Sequence, residues 1–241
     1  MKKKIAFISP EELRFSLPTL KSFSEKYNHY DIKFIILQKN FFKIKKNISY
    51  FFIFNIFEIF EIFFTKKLKK YTNFFKEKNI PIYNQDSLNN SFVRDLLINE
   101  KIEFLIILVS DSIVRKEILN IPNLKVLNFH SSKLPKYRGI LPIFRAYSNN
   151  ENEIGFTIFE VNQKIDDGII LSQKILNISK KKGILKLYKE AFLSFPDLVH
   201  EAISNPLNIK NEDINSYFSY PNIIDLVKFR FKELKKILFK N

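Results

Sequence analysis

Along the chain, short unbroken apolar runs alternate with longer stretches in which apolar residues recur every three or four positions. The runs IAFI at 5–8, IKFIIL at 32–37 and FLIIL at 104–108 are rich in β-branched and aromatic residues and show no polar alternation. Strands buried on both faces of a parallel sheet read this way. A fourth run, KVLNF at 125–129, leads directly into His130. Helical patterning fills the intervals at 11–26, 48–78 and 87–100. Strand–helix–strand order of this kind predicts βαβ units and a doubly wound α/β sheet. Ligands of such sheets bind outside the carboxyl ends of the strands, where His130 falls.

Farther on, IGFTIFEV at 154–161 and GIILSQKIL at 168–176 predict two more strands, with a loop at 162–167 between them. A helix is expected at 184–203. Pro206 and the polar run through Asp213 then mark a boundary, dividing the chain into a domain at 1–204 and a short extension at 205–241. The extension holds a YFSYP element and a basic helix at 223–240. Neither an internal repeat nor a low-complexity linker interrupts this order.

The stretch ISYFFIFNIFEIFEIFF at 48–64 is strongly apolar and flanked by lysines. Asn55, Glu58 and Glu61 recur every third residue and would form a polar stripe on a helix. Two carboxylates in so short a span argue against a transmembrane segment. A core or subunit-interface helix is the plain expectation, which makes a homodimer the expected assembly. Peripheral contact with a membrane surface is the alternative, since lysine flanks suit the headgroup region.

Composition narrows the class. The apolar fraction of 46% is ordinary for a globular protein, and the chain has no cysteine, hence no disulfide framework and no thiolate metal site. The opening MKKKIAFISPEEL has too short an apolar run for a signal peptide and reads as a first strand, so a cytoplasmic location is expected. The formal net charge of +15 invites a nucleic-acid reading. The basic residues are overwhelmingly lysine, however, in a chain also crowded with Phe, Ile and Asn. That resembles a chain-wide usage bias, and clusters such as Lys2–Lys4 and Lys180–Lys182 read as solvated surface.

Only four glycines occur, and three of them, Gly139, Gly155 and Gly168, punctuate the strings NFHSSKLPKYRG, GFT and IDDG. A chain that otherwise avoids glycine keeps it where the backbone must turn or be closely approached. Of the histidines His29, His130 and His200, only His130 lies in this stretch. Asn128 precedes it by two residues, so an extended strand puts both side chains on one face. Asp166 arrives from a later loop. An amide, an imidazole and a carboxylate at a strand end suit acyl transfer to an amine. Asn128 and a protonated His130 can stabilise the oxyanion, and Asp166 can tune the imidazole and accept or relay the proton leaving the nucleophile. Taken singly, each has a plainer reading: a structural histidine, a turn aspartate. A lone histidine with no cysteine or HxxxH pair speaks against zinc, so no metal is expected. No GxSxG elbow supports a serine hydrolase.

Taken in order, NFHSSKLPKYRG, GFT and IDDGIILSQ resemble the signature of the 10-formyltetrahydrofolate-dependent formyltransferases. NIPIYNQDSLN and IEFLIILVSDSIV extend the likeness over roughly 80–177. The resemblance implies a Rossmann-like formyltransferase domain with a mostly parallel sheet, a short C-terminal extension, and 10-formyltetrahydrofolate as formyl donor. The superfamily's Asn-x-His and Asp-x-Gly fall on Asn128/His130 and Asp166/Gly168. Its pterin-binding loops match Leu108, Val109 and Ser110, and Val161, Asn162, Gln163, Lys164 and Ile165. Its loop bordering the amine substrate matches Ser131 through Gly139, with Tyr137 and Arg138 as contact candidates and Arg138 also readable as surface charge. Many relatives carry a glycine in the loop matched by Val109–Ser112, and this chain has none there.

Three acceptors compete. Glycinamide ribonucleotide transformylases carry a glycine-rich turn after the first strand, and ISPEELRFSLP has no glycine. Methionyl-tRNA formyltransferases resemble the N-terminus better but carry a barrel-like second domain, for which the chain beyond the motif region is expected to be too short. Sugar N-formyltransferases linked to surface polysaccharides, such as O-antigen and lipopolysaccharide, resemble the length and the SYFSYPNIIDLVKFR tail. The expected partner is therefore a nucleotide-linked amino sugar rather than nucleic acid. A non-catalytic folate- or partner-binding relative is the alternative from a different class.

Overall fold

In the computed structural model, residues 2–10, 15–37, 51–64, 69–110, 112–178, 183–211 and 217–238 are described, and the apolar runs form one sheet. Strands β1 (Lys4–Pro10), β2 (Asp31–Leu37), β3 (Ile82–Gln85), β4 (Phe104–Ile107), β5 (Lys125–His130), β7 (Glu153–Glu160) and β8 (Ile170–Asn177) lie in the order β3-β2-β1-β4-β5-β7-β8. The first five are mutually parallel, and β7 and β8 add antiparallel edges. A two-residue strand, β6 (Arg138–Gly139), stands outside the sheet and pairs with β9 (Tyr217–Phe218). This is the mostly parallel, Rossmann-like α/β fold. Strand order reverses between β1 and β4, the crevice where such sheets bind ligands. β3 is the strand that the apolar pattern does not announce. It is a half-buried edge after Pro81, and an edge needs no continuous apolar run.

Helices α1 (Ser16–Lys26), α3 (Lys69–Glu77) and α7 (Ile184–Ser204) cover one face of the sheet. There Phe7 of β1 meets Phe23 of α1 and Phe195 of α7, with ring centroids 4.8 and 6.0 Å apart. Phe34 of β2 meets Phe75 of α3 at 4.6 Å. Helices α4 (Ser91–Asn99) and α5 (Lys116–Leu119) close the other face over Ala6, Ile8, Ile35, Leu105 and Ile107. Asn90 caps α4, its side chain accepting the Val93 N–H at 2.9 Å. Much of the core is thus phenylalanine, each fully buried ring contributing about 1.5–3 kcal/mol.

The expected helix at 48–78 is broken. Residues 51–53 are helical, the helix stops at Phe54, and α2 (Ile56–Phe64) starts afresh. The reason is a capping box: Asn55 Oδ1 accepts the Glu58 N–H and Glu58 Oε2 accepts the Asn55 N–H, both at 2.9 Å. Glu58 Oε1 also accepts the Leu185 N–H at the start of α7, at 3.0 Å. Residues 11–14, 48–50, 65–68, Lys180–Lys182 and 239–241, which carry parts of the expected helices and one lysine cluster, lie outside the described residues.

Beyond residue 204 the chain packs back on the domain. Helix α8 (Ile223–Leu238) sets Phe229 against Phe144 and Tyr147 of α6 (Pro142–Ser148), at 5.0 and 6.1 Å, and Leu226 and Phe229 join the main core. Among the described residues no helix is long and apolar enough to cross a membrane.

Candidate active site

β5 alternates its side chains between two cores: Leu127 and Phe129 enter one, Val126 the other. Asn128 and His130 continue the Val126 face at the strand's carboxyl end. Asn128 is half-buried, in register with Ile107 of β4 and Phe159 of β7. His130 is 7% exposed, and its Nε2 lies 2.9 Å from the carbonyl oxygen of Tyr137. A carbonyl can only accept, so the proton sits on Nε2 and Nδ1 is directed to Asp166. Asp166 Oδ2 stands 3.8 Å from Nδ1, beyond hydrogen-bond range but an ion pair once the imidazole is protonated. The same oxygen accepts the Gly139 N–H at 2.8 Å.

Backbone conformation concentrates unusual angles here. Tyr137, Gly139, Leu141 and Asp166 all have positive φ, from 49° to 93°, a region that non-glycine residues occupy only where their surroundings hold them. At Gly139 a side chain would also run into the Phe218 carbonyl of β9. The surroundings that hold the Asp166 loop are specific. Arg138 Nη2 donates to the Ile165 carbonyl at 2.7 Å, and Nη1 pairs with Asp167 at 3.4 Å. Within the loop, Asn162 Oδ1 accepts the Lys164 N–H at 2.8 Å.

Thr157 and Gln173 anchor the other side of the site, and no spacing in the sequence marks them. Thr157, the register partner of His130, donates to the Ser132 carbonyl at 2.7 Å and accepts from Gln173 Nε2 at 2.9 Å. Gln173 also donates to the Leu134 carbonyl at 3.1 Å. Together they tie the 131–139 loop to β7 and β8. The only available clue is that both lie inside the GFT and GIILSQ strings.

The expected site residues divide into two groups. Asn128, His130, Asp166 and Gly139 gather in one place. Leu108, Val109 and Ser110 leave β4 beside Asn128, and Val161, whose N–H donates to the Val126 carbonyl at 2.8 Å, opens the exposed run Asn162, Gln163, Lys164, Ile165 that leads to Asp166. Tyr137 and Arg138 are turned differently from their expected role as side-chain contacts. The Tyr137 ring is buried against Phe218, and its hydroxyl donates to Glu151 at 2.8 Å. Burial pushes this phenol up from its ordinary value; the Asn149 bond opposes that and Glu151 reinforces it. It is the Tyr137 carbonyl that meets His130, while Arg138 braces the neighbouring loop. A shallow hollow with a cavity volume of about 20 Å³ lies against the 131–139 loop, lined by Ser131, Lys133, Lys136 and Glu151 among others. Neither His130 nor Asp166 lines it, and its lysines are paired with Glu153 and Glu151.

A doubly wound sheet with an amide, an imidazole and a carboxylate at the end of a strand defines a Rossmann-like domain with a candidate ligand site on its strand-end loops. The formyl transferase family profile matches residues 64–194, more than half of the chain, and the chain belongs to that family. Methionyl-tRNA formyltransferase from a Hydrogenobaculum species is 36% identical over 113 residues, covering 47% of this chain and 37% of that protein. The Staphylococcus aureus (strain Newman) counterpart is 28% identical over 135 residues, covering 56% and 43%. The chain thus spans about two fifths of the length of these curated relatives. Among solved structures, a sugar N-formyltransferase from a Shewanella species superposes with a TM-score of 0.61 at 15% identity, covering 94% of this chain and 87% of that one. Phosphoribosylglycinamide formyltransferase from Bacillus halodurans gives 0.60 at 18%, covering 84% and 96%. At these identities the likeness is one of fold.

Proposed function

We propose that this chain is an N-formyltransferase that moves the formyl group of 10-formyltetrahydrofolate to the amine of a nucleotide-linked amino sugar. The observation that carries the reaction is the His130–Asp166 pair at the end of β5, oriented through Tyr137 on one side and Gly139 on the other. Family membership supports the donor. The surrounding residues fit it: Val109 and Val161 are partly exposed apolar residues, and the turns at 108–110 and 161–165 bring main-chain groups beside them, the kind of lining that a flat hydrogen-bonding heterocycle requires.

The donor supplies an activated formyl carbon. Asn128 binds the formyl oxygen, and the positive charge of protonated His130, whose ring nitrogens face Tyr137 and Asp166, helps to stabilise the negative charge that develops there as the acceptor nitrogen bonds to carbon. Asp166 takes the proton from the attacking nitrogen. That proton then passes to the donor nitrogen as its bond to the formyl carbon breaks. Gly139 holds the Asp166 carboxylate in place throughout.

The choice of a sugar acceptor is supported by how residues 205–211 and 217–238 pack. They extend the sheet's edge and cover α6 of the same domain. Broad structural overlap with a sugar N-formyltransferase points the same way. A positive surface would raise the capture rate of an anionic nucleotide sugar. A cytoplasmic homodimer serving surface-polysaccharide synthesis completes this reading. A methionyl-tRNA acceptor is the second reading, favoured by the curated relatives.

The test is to incubate the protein with 10-formyltetrahydrofolate and a panel of nucleotide-linked amino sugars, alongside charged initiator tRNA, and to look by mass for the gain of one formyl group. Gain on a sugar nucleotide is the expected result. Rapid formylation of the tRNA overturns the acceptor, and consumption of donor by no amine at all overturns the reaction.

A further inference from the structure

After α7 the chain returns to the candidate site twice. Leu207 N–H donates to the Leu171 carbonyl at 2.8 Å, and Ile170 and Ile209 exchange both main-chain hydrogen bonds, at 2.8 and 3.0 Å. This edge pairing brings Asn211, only 7% exposed, against the loop that carries Asp166. Asn211 Nδ2 donates to the main-chain oxygen of Asp166 at 3.0 Å. The second return is β9, where the Phe218 carbonyl accepts the Ile140 N–H at 2.8 Å and flanks Gly139, the residue whose own N–H holds the Asp166 carboxylate.

Asn211 is a poor choice for packing alone. Its Oδ1 is buried without a hydrogen-bond partner among the described residues, and buried polar atoms left unpaired cost stability. What the amide does achieve is local. Asp166 sits at φ 49°, where a non-glycine backbone relaxes unless its peptide is held. One donor on its carbonyl fixes that peptide and, with it, the direction of the side chain.

We infer that Asn211 is a positioning residue: by holding the Asp166 carbonyl it sets the Asp166 carboxylate between the Gly139 N–H and His130. The extension after α7 is then part of the site's architecture. The inference rests on Asp166 acting in formyl transfer, and the experiment separates the two ideas.

Because the chain has four glycines, labelling glycine nitrogen alone yields a short set of amide resonances. Gly139 reports the Asp166 contact, and Gly183, which lies against Glu58, serves as an internal control. Asp166→Ala is expected to move the Gly139 resonance and speed its amide exchange. Asn211→Ala is expected to move it in the same direction by at least half as much, with Gly183 unmoved. Turnover of the Asn211→Ala protein at saturating donor should fall roughly ten- to a hundredfold, with the donor KM within about twofold, as for loss of a positioning group. On an Asp166→Ala background, Asn211→Ala should cost nothing further. If Asn211→Ala does not fold, Asn211→Asp, nearly the same shape without the N–H, should give the same Gly139 shift. A Gly139 resonance that stays in place in the Asn211 variant while moving in Asp166→Ala overturns the inference and leaves the catalytic reading intact. So does a Gly139 resonance that ignores Asp166→Ala. Wild-type turnover in Asp166→Ala removes the catalytic reading, and the resonance still decides the positional one.

Discussion

His130 is held by a carbonyl on one ring nitrogen and approached by a carboxylate on the other, which fixes the plane of the ring and turns Nδ1 towards Asp166. Thr157 supports this arrangement from β7 by bonding the Ser132 carbonyl and the Gln173 amide at once. Thr157→Val keeps the shape and removes both bonds, leaving a buried carbonyl unpaired. It is expected to destabilise the protein by about 1–3 kcal/mol in urea unfolding and to lower turnover as the 131–139 loop loosens. The side chains proposed to work were legible in the sequence because they are a motif: Asn128 and His130 by a spacing of two, Asp166 by its glycine. The parts played by Tyr137 and Arg138 were not. A main-chain acceptor has no residue type to betray it, and spacing says nothing about a guanidinium turned inward onto the Ile165 carbonyl.

At the scale of elements, the hairpin of β7 and β8 turns at Gly168, where any side chain would overlap the Glu160 carbonyl. Gly168→Ala therefore forces the strands apart next to Asp166. A cost of about 2–3 kcal/mol is expected in chemical denaturation, with activity falling further than stability alone explains. Helix α2 depends on Glu58, which caps its own helix and accepts from α7. Glu58→Ala should cost about 1–2 kcal/mol, read the same way. The buried strands were readable because parallel strands covered on both faces are continuously apolar. β3 escaped because it is a half-buried edge. The break before α2 was present in the Asn-x-x-Glu pattern at 55–58, but in so apolar a stretch the two polar residues also fit a stripe along one long helix.

At the scale of the whole molecule, lysine-rich charge coexists with an exposed apolar face. Phe57 and Phe60 on α2 are 84% and 62% exposed, far more than a solitary helix surface favours. Self-association through 48–64 is the expected consequence. Sedimentation should show a species larger than the monomer that Phe57→Ser with Phe60→Ser abolishes, and a wild-type monomer at high concentration removes the idea. Net charge gave no guidance to the site, because the lysine excess is distributed along the chain, whereas Asn128 and His130 are set by strand register and Asp166 by the loop that carries it.

The central claim is that His130 and Asp166 carry formyl transfer. The most direct measurement compares formyl gain on the acceptor, under one set of conditions, for wild type, His130→Ala and Asp166→Asn, each shown to be folded by its melting curve. Transfer by the wild type, slowed roughly a hundred- to ten-thousandfold in both variants, is the predicted result. A folded His130→Ala protein that transfers formyl at the wild-type rate would contradict it.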